Sequence, residues 1–393
     1  KPDSLKPVFP SGMKKVNFLL QRMVIKGSTI YGKRRFSRLF RRYLHRRINL
    51  EQVYTIAQEI TNMYRNDGYI LSKAVVPPQK IEGGIVQIDV IEGFVDRVVI
   101  QGQVRGPRKL LNQYRRGLLK SRPLKAKDLE RYLLLVDDLP GVSVKSVLTP
   151  SEHKQGATNM TLILDNKAYG GSLGVDNRGT QFNGPIQINA GLSGNTLFRN
   201  YERIGLQSVV TTNTDELQFF SGFYEQPISS EGTKLFFSAS VSESEPGSVL
   251  KDFEVAGKSK TFTLKISHPF IRSRAENLTG SVGFTHRNSS TDILGVLDSE
   301  DRLRIVNLGL SYDFVDEHRG VNLISFNLSK GFDIFDATET GSENLTRGAG
   351  HSDFTKVSGE MLRLQQLAPS WMLLGSMSWQ YSLEKLFASE EFG

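Results

Sequence analysis

Val306-Asn307-Leu308-Gly309-Leu310-Ser311-Tyr312-Asp313-Phe314 alternates without a break: even positions are apolar, odd positions small or polar. A strand turns successive side chains to opposite faces, so this one has an oily face and a wet face. Runs of about ten residues are longer than a typical soluble strand and match a tilted strand that crosses a membrane. Eleven such runs are predicted, at about 169–177, 186–194, 203–212, 216–225, 234–242, 260–267, 278–287, 304–314, 321–330, 355–365 and 371–382. No helical pattern separates them. In hydrocarbon only helices and closed barrels satisfy their backbone polar groups, so the pattern predicts an antiparallel transmembrane β-barrel.

Details of the runs agree with that reading. Trp371 and Tyr381 bracket the last one, whose Leu373, Gly375, Met377 and Trp379 share a face, as an interfacial aromatic girdle requires. Connections at 243–259, 288–303 and 331–354 are long and polar, whereas those at 268–277, 315–320 and 366–370 are short. Barrels of this kind carry long loops outside and short turns in the periplasm. The odd positions Asn307, Gly309, Ser311 and Asp313, with Ser325, Asn327 and Ser329, suit a wet lumen with little to hold a passing chain.

No run of about 18 apolar residues exists, which excludes a transmembrane helix. Cysteine is absent, ruling out disulfides and thiolate metal sites and fitting an oxidising compartment. Lys1-Pro2-Asp3-Ser4 lacks the charged-then-apolar pattern of a signal peptide, so any export signal is expected to be already missing. The net charge of +9 hides an asymmetry. Residues 1–150 hold 29 basic and 12 acidic residues, and residues 151–393 hold 21 and 29. A basic half points to a polyanionic partner: nucleic acid, anionic lipid or an acidic protein.

That basic half is a tandem repeat. Met23-Val24-Ile25-Lys26-Gly27 returns 75 residues later as Val98-Val99-Ile100-Gln101-Gly102. Val75-Val76-Pro77-Pro78 is echoed by Val147-Leu148-Thr149-Pro150, and the Gly83–Val90 segment by Gly156–Leu164. Order and spacing are kept, as in one duplicated module. Each copy reads strand, helix, helix, strand, strand: 17–26, 34–46, a helix capped by Asn49, 70–76 and 85–91, then 95–101, 107–119, 126–138, 143–148 and 159–165. In the first copy Val53, Ile56, Ala57, Ile60 and Tyr64 recur at helical spacing, and Gly68 ends that helix.

A β-α-α-β-β module of about 75 residues whose last strand leads into a barrel resembles a POTRA domain. Asp138-Leu139-Pro140-Gly141-Val142, then Leu148-Thr149-Pro150 and Gly156, resemble the second POTRA of two-partner secretion transporters. These are the TpsB-type haemolysin-activator and filamentous-haemagglutinin exporters. Gly170-Gly171-Ser172-Leu173-Gly174-Val175-Asp176-Asn177-Arg178-Gly179 and Ser267-His268-Pro269-Phe270-Ile271-Arg272-Ser273-Arg274 resemble the same family. The resemblance implies an α+β tandem of POTRA modules followed by an antiparallel transmembrane β-barrel. The segments are a linker at 1–16, POTRA modules at 17–93 and 94–167, and the barrel at 168–393. It also implies sixteen strands and a long inward-folded loop with a Val-Arg-Gly-aromatic motif after the eleventh. Neither that motif nor five further strands is read here, so the chain is expected to be C-terminally incomplete.

The function implied is export, not enzymatic catalysis. A pore in the bacterial outer membrane, its POTRA modules periplasmic, would recognise a large adhesin- or haemolysin-like exoprotein by its N-terminal secretion domain. It would pass that client outward unfolded. Outer-membrane lipid and lipopolysaccharide are the other implied partners; nucleic acid, cofactor and metal are not expected. An insertase of the same superfamily would show three to five POTRA modules, and a passive channel none. A soluble basic binding protein would lack the alternating runs.

Candidate binding residues follow from edge-strand chemistry. The resemblance to POTRA modules implies that the strands at 70–76 and 143–148 lie at sheet edges, where exposed backbone accepts an extended segment. Lys73, Val75, Lys145 and Val147 would then set specificity; the other reading is an edge merely protected by lysine. Arg34, Arg35, Arg38, Arg41 and Arg42, with Arg46 and Arg47, crowd one helix, as a client or lipid-headgroup site or as a solvated face. Phe36, Phe40 and Tyr43 among them are spaced to pack on the sheet rather than to stack on bases. Gly170-Gly171-Ser172-Leu173-Gly174 fits G-x-S-x-G literally, but a polar linker precedes it and a Gly-rich strand follows, against the strand-to-helix elbow. The six histidines are scattered and no phosphate loop occurs, so no metal site and no ATP use are expected.

Overall fold

The computed structural model describes residues 16–103 and 105–391. Most of the linker expected at 1–16 lies outside them. The described residues form two compact units. One holds the repeat; the other holds a large sheet together with 105–110 and Asp137–Ser143.

In the first module the strand expected at 17–26 is two strands, β1 (Asn17–Leu19) and β2 (Arg22–Lys26). The chain changes partner at the fully buried Leu20: β1 pairs antiparallel with β3 (Arg47–Asn49), and β2 pairs parallel with β5 (Ile85–Ile91). Helix α1 covers only Lys33–Phe40, followed by a 3-10 turn at Arg41–Tyr43. The helix expected to run to 46 stops because His45, at φ 61°, turns the chain toward the β1 pairing. Asn49 does cap α2 (Leu50–Asn66): its Oδ1 accepts from the Gln52 amide at 2.9 Å, and Gln52 Oε1 accepts from the Asn49 amide at 2.9 Å. Val53, Ile56, Ala57, Ile60 and Tyr64 bury the face predicted for them. β4 (Lys73–Val75) completes the sheet in the order β2-β5-β4.

The second module repeats this plan. β6 (Phe94–Gly102), α3 (Arg108–Lys120), α4 (Ala126–Asp137), β7 (Val142–Pro150) and β8 (Ala157–Asn166) build a sheet in the order β6-β8-β7, with β6 parallel to β8. The repeated glycine has one physical cause in both copies. Gly27 (φ +83°) and Gly102 (φ +100°) end equivalent strands, and a Cβ would sit 2.2 Å from the Val90 carbonyl oxygen and 2.0 Å from that of Leu164. No other residue fits so close an approach at positive φ.

Glu92, at the junction of the modules, organises the loop after β2. It accepts from the amides of Thr29 (2.9 Å) and Ile30 (3.1 Å), from the Thr29 hydroxyl, and from Tyr64 Oη at 2.7 Å. Burial pushes the Glu92 carboxyl up, but these hydrogen bonds outweigh it and hold the group below the ordinary glutamate value. A carboxylate depressed on folding contributes stability above its unfolded pKa and loses that contribution as pH falls through the folded one. Wild-type protein is therefore expected to lose stability of the repeat as pH drops below about 4.5. Glu92→Gln should cost about 1–3 kcal/mol at pH 7 and flatten that pH dependence. Urea midpoints of both proteins at pH 7 and below pH 4 check this; identical pH dependence would refute it.

The second unit is an eleven-stranded antiparallel meander in sequence order. Its strands are β9 (Tyr169–Asp176), β10 (Gln187–Asn195), β11 (Arg203–Thr211), β12 (Gln218–Pro227), β13 (Lys234–Ser244) and β14 (Ala256–Arg272). They continue as β15 (Glu276–Ile293), β16 (Val296–Val315), β17 (Val321–Gly331), β18 (Thr355–Ala368) and β19 (Trp371–Ser382). All eleven predicted runs are strands. β14, β15 and β16 are longer than expected, at 17, 18 and 20 residues. The connection predicted as a long loop at 288–303 is instead the end of a hairpin that turns at Leu294 and Gly295, both at positive φ. Residues 332–354 are irregular, as expected, and dress the protruding part of β16: the Phe332 and Thr338 amides bond to the Arg304 and Arg302 carbonyls. Among the described residues, β9 and β19 are the sheet's edges.

Candidate functional site: the edge strands and the polar sheet face

Both strands proposed for client capture, β4 and β7, lie at sheet edges, but the edges differ. β4 has three residues, and the Ala74 amide is already taken by Thr61 Oγ1 from α2 at 2.9 Å. Lys73 is exposed and Val75 half-buried. β7 has nine residues, and from Lys145 to Pro150 every side chain is exposed, including Val147 and Leu148. The Ser151 amide donates to the Ala157 carbonyl at 2.9 Å, across to β8. Alternation along the strand then turns the backbone of Ser146 and Leu148 to the open edge. Pro150, at the end of that edge, donates nothing.

The arginine cluster is less uniform than its sequence suggests. Arg34, Arg35 and Arg38 lie on α1, and Arg41 and Arg42 on the 3-10 turn. Arg35 pairs with Asp67 (3.3 Å) and Arg42 with Glu59 (2.8 Å). Arg34, Arg38 and Arg41 make no ion pair among the described residues. Phe36 is buried in the module core, with Phe40 and Tyr43 partly buried against it.

The sheet separates its faces cleanly. Leu308 and Leu310 stand in register with Val282 and Leu328, and with Gly280 and Phe326. Together with Leu206, Phe237, Leu264 and Met361 they form an exposed apolar surface. So much uncovered apolar area is foreign to a water-facing surface. On the other face Asn307 donates to Thr285 Oγ1 (3.3 Å) and accepts from Ser329 Oγ (2.8 Å), while Gly309 stands between Ser281 and Asn327. Around Asn307 and Gly309 this wall is small and hydrogen-bonded within itself, and charged side chains such as Lys265, Lys356 and Glu360 stand elsewhere on the same face. Ser172 is in β9, opposite Gly191, with no helix after it, so the hydrolase elbow is absent there. Among the described residues no helix is long and apolar enough to cross a membrane, and no three His, Asp or Glu side chains gather to hold a metal.

A family model described as haemolysin secretion/activation protein ShlB/FhaC/HecB matches residues 163–393, more than half of the chain. The chain belongs to this family. A second model, the POTRA domain of ShlB type, matches residues 18–93. Relatives of this ShlB/FhaC/HecB chain include the heme/hemopexin transporter protein HuxB of Haemophilus influenzae strain 86-028NP. It is 26% identical over 266 residues, which cover 67% of this chain and 47% of that protein. The outer membrane transporter CdiB of Dickeya dadantii strain 3937 is 26% identical over 386 residues, 95% of this chain and 67% of that protein. The chain thus spans about half the length of HuxB. Its fold resembles the solved structure of CdiB from Escherichia coli, with a TM-score of 0.74, 22% identity, and coverage of 98% of this chain and 72% of that one.

Two segments quoted above for their likeness to the family meet in this ShlB/FhaC/HecB chain. Arg272, ending β14, grips Asp138 through both carboxylate oxygens, Nε to Oδ2 at 2.7 Å and a terminal nitrogen to Oδ1 at 2.7 Å. Arg272 also donates to Asn277 Oδ1 (2.9 Å), which in turn donates to Asp313 (2.7 Å). The Lys167 amide bonds to the Gly141 carbonyl at 2.7 Å. These contacts explain why Asp137–Ser143 groups with the large sheet. Sequence reading gave Asp138 and Arg272 no role, because the partners stand 134 positions apart.

Proposed function

We infer that this chain is an outer-membrane transporter that captures a large exoprotein in the periplasm and passes it unfolded to the cell surface. The observation that carries the reading is the pairing of two devices in one chain. One is a ShlB-type POTRA repeat with a long open edge at β7; the other is a sheet with an apolar outer surface and a largely polar opposite face. An incoming extended segment adds to β7 by backbone hydrogen bonds, and Lys145 and Val147 read its side chains. Lys73 and Val75, on the shorter β4, are the secondary edge. Arg34, Arg38 and Arg41 offer positive charge to an acidic stretch of the client or to lipid headgroups, with Arg35 and Arg42 held by their carboxylates. The transporter breaks no bond, and the client's folding outside biases the direction. The exposed apolar surface sits in outer-membrane lipid and lipopolysaccharide. The chain enters the sheet at Tyr169, at the end that carries the short turns 273–275, 316–320 and 369–370, which puts the modules in the periplasm.

Mass spectrometry of culture supernatant and outer membrane, with and without the gene, tests the reading. Loss of one very large secreted protein with other barrels unchanged is expected. Broad depletion of other barrels would favour an insertase instead, and no change in either fraction would overturn both.

A further inference from the structure

The apolar surface carries a hollow of about 500 Å³. Two neighbouring cross-strand rows line it: Leu192, Leu206, Gly222, Ala239 and Phe262 stand in register across β10 to β14, and Ala190, Ser208, Phe220 and Val241 form the row beside them. Gly222 and Ala239 meet in the middle of the first row and its large residues wall them in, so a trough opens there. The first row is also inclined relative to the sheet's ends. Leu192 lies three residues from the short-turn end of β10, and Phe262 lies ten from that end of β14. The trough therefore climbs toward the long-loop end as it nears Phe262.

At that upper end the chemistry changes. Phe262 is followed on the same face of β14 by Lys260 and Lys258, both exposed. Below it the same face carries Leu264 and Ile266. The lysines stand roughly 7 and 14 Å along the strand above Phe262, at about 3.4 Å per residue. Lys260 has uncharged register partners, Val241 and Asn288. Lys258 faces Glu243 and Ser290. Neither lysine makes an ion pair among the described residues, whereas the nearby Arg302 is held by Glu300 at 2.8 Å. Two ammonium groups outside any ion pair, Lys258 with Glu243 as a register neighbour, stand above an apolar trough and match an amphiphile with a phosphate head and hydrocarbon tail. Lysine stems lie on apolar surface and lift their charge to the headgroup level.

We propose that the trough and Lys258 and Lys260 together bind a phosphorylated, acylated lipid of the outer leaflet, one acyl chain along Gly222 and Ala239 and a phosphate on the lysines. The inference rests on the outer-membrane placement proposed above. The full chain, purified from outer membrane in mild detergent, is titrated with diphosphoryl lipid A and read by native mass spectrometry. Lys258→Gln/Lys260→Gln is expected to weaken retention about tenfold, and Ala239→Leu, which fills the trough, to weaken it similarly. Lipid A stripped of phosphate should bind the wild type no better than the lysine variant binds intact lipid A. Equal retention by wild type and both variants would overturn the site while leaving the transporter reading intact. Displacement of the lipid by millimolar inorganic phosphate would reduce the site to a free-phosphate one and overturn the trough's part. Failure to find the wild type in the outer membrane would sink the placement itself.

Discussion

Ser146→Pro is expected to reduce secretion of the client at least tenfold while the protein still accumulates in the outer membrane. The backbone of Ser146 faces the open edge of β7, so proline there removes a donor from the surface an added strand would use and leaves the ladder to β8 intact. One lost hydrogen bond is worth about 0.5–1.5 kcal/mol, and the proline ring adds a steric barrier to close strand approach. A factor of ten corresponds to about 1.4 kcal/mol, so the combined effect reaches or exceeds it. Lys145→Glu and Val147→Ser, which leave the backbone untouched, should lower secretion by a few-fold and change which clients are accepted. Lys73→Glu/Val75→Ser, which leaves the β4–β5 ladder untouched, is the informative comparison. β4 is short and its Ala74 amide is already satisfied by Thr61, so secretion should be nearly unchanged. Pulse-labelled cultures, comparing client in medium and periplasm, check the set. Wild-type secretion by Ser146→Pro would mean that β7 is only a protected edge.

What the sequence revealed and what it withheld follow from where side chains meet a contrast of environments. The strands of the sheet were legible because each separates oil from water: Leu308 and Leu310 face one way, and Asn307, Gly309 and Ser311 the other. Beyond the apolar zone that contrast disappears. Ser289-Ser290-Thr291 and Asp298-Ser299-Glu300-Asp301 are polar on both faces, so alternation cannot mark them, although the strands pair, with one bulge at Asp298, as far as the Leu294–Gly295 turn. Backbone pairing persists where the amphipathic signal ends, and a loop was expected where a hairpin continues.

In the repeat, the periodic helix α2 and its Asn49 cap were readable because both are local. The break at Leu20 was not. It depends on which strand lies alongside, β3 for one half and β5 for the other, and these are distant in sequence. The candidate site divides the same way. That Lys145 and Val147 stand exposed on an edge follows from module topology. That β7 offers the freer edge depends on Thr61 reaching the Ala74 amide, a contact between residues 13 positions apart that no pattern announces. The arginines of α1 were conspicuous as a run, yet only the fold shows Asp67 and Glu59 neutralising two of them.

Leu308→Arg is expected to be the most damaging single change in the sheet. Leu308 lies midway along β16 between Arg302 and the stacked Tyr312 and Phe314, whose ring centroids are 4.7 Å apart. That interval, from a charged end to an aromatic end, has the extent of the apolar band of a tilted barrel strand. Its register neighbours Val282 and Leu328 are also apolar. Arginine near the bilayer midplane costs about 2–4 kcal/mol, which shifts the folded-to-unfolded ratio roughly 30- to 1000-fold. Ser311→Arg, three residues on and on the opposite face beside Thr279 and Ser325, carries the same charge into the polar side and should assemble normally. Heat-modifiable mobility and protease resistance of membrane fractions measure both. Equal tolerance of the two variants would refute a lipid-facing surface at Leu308. Loss of both would show instead that the strand rejects bulk whatever its face. Only the asymmetric result follows from a wall with hydrocarbon on one side and water on the other, because each substitution adds the same side chain to the same strand.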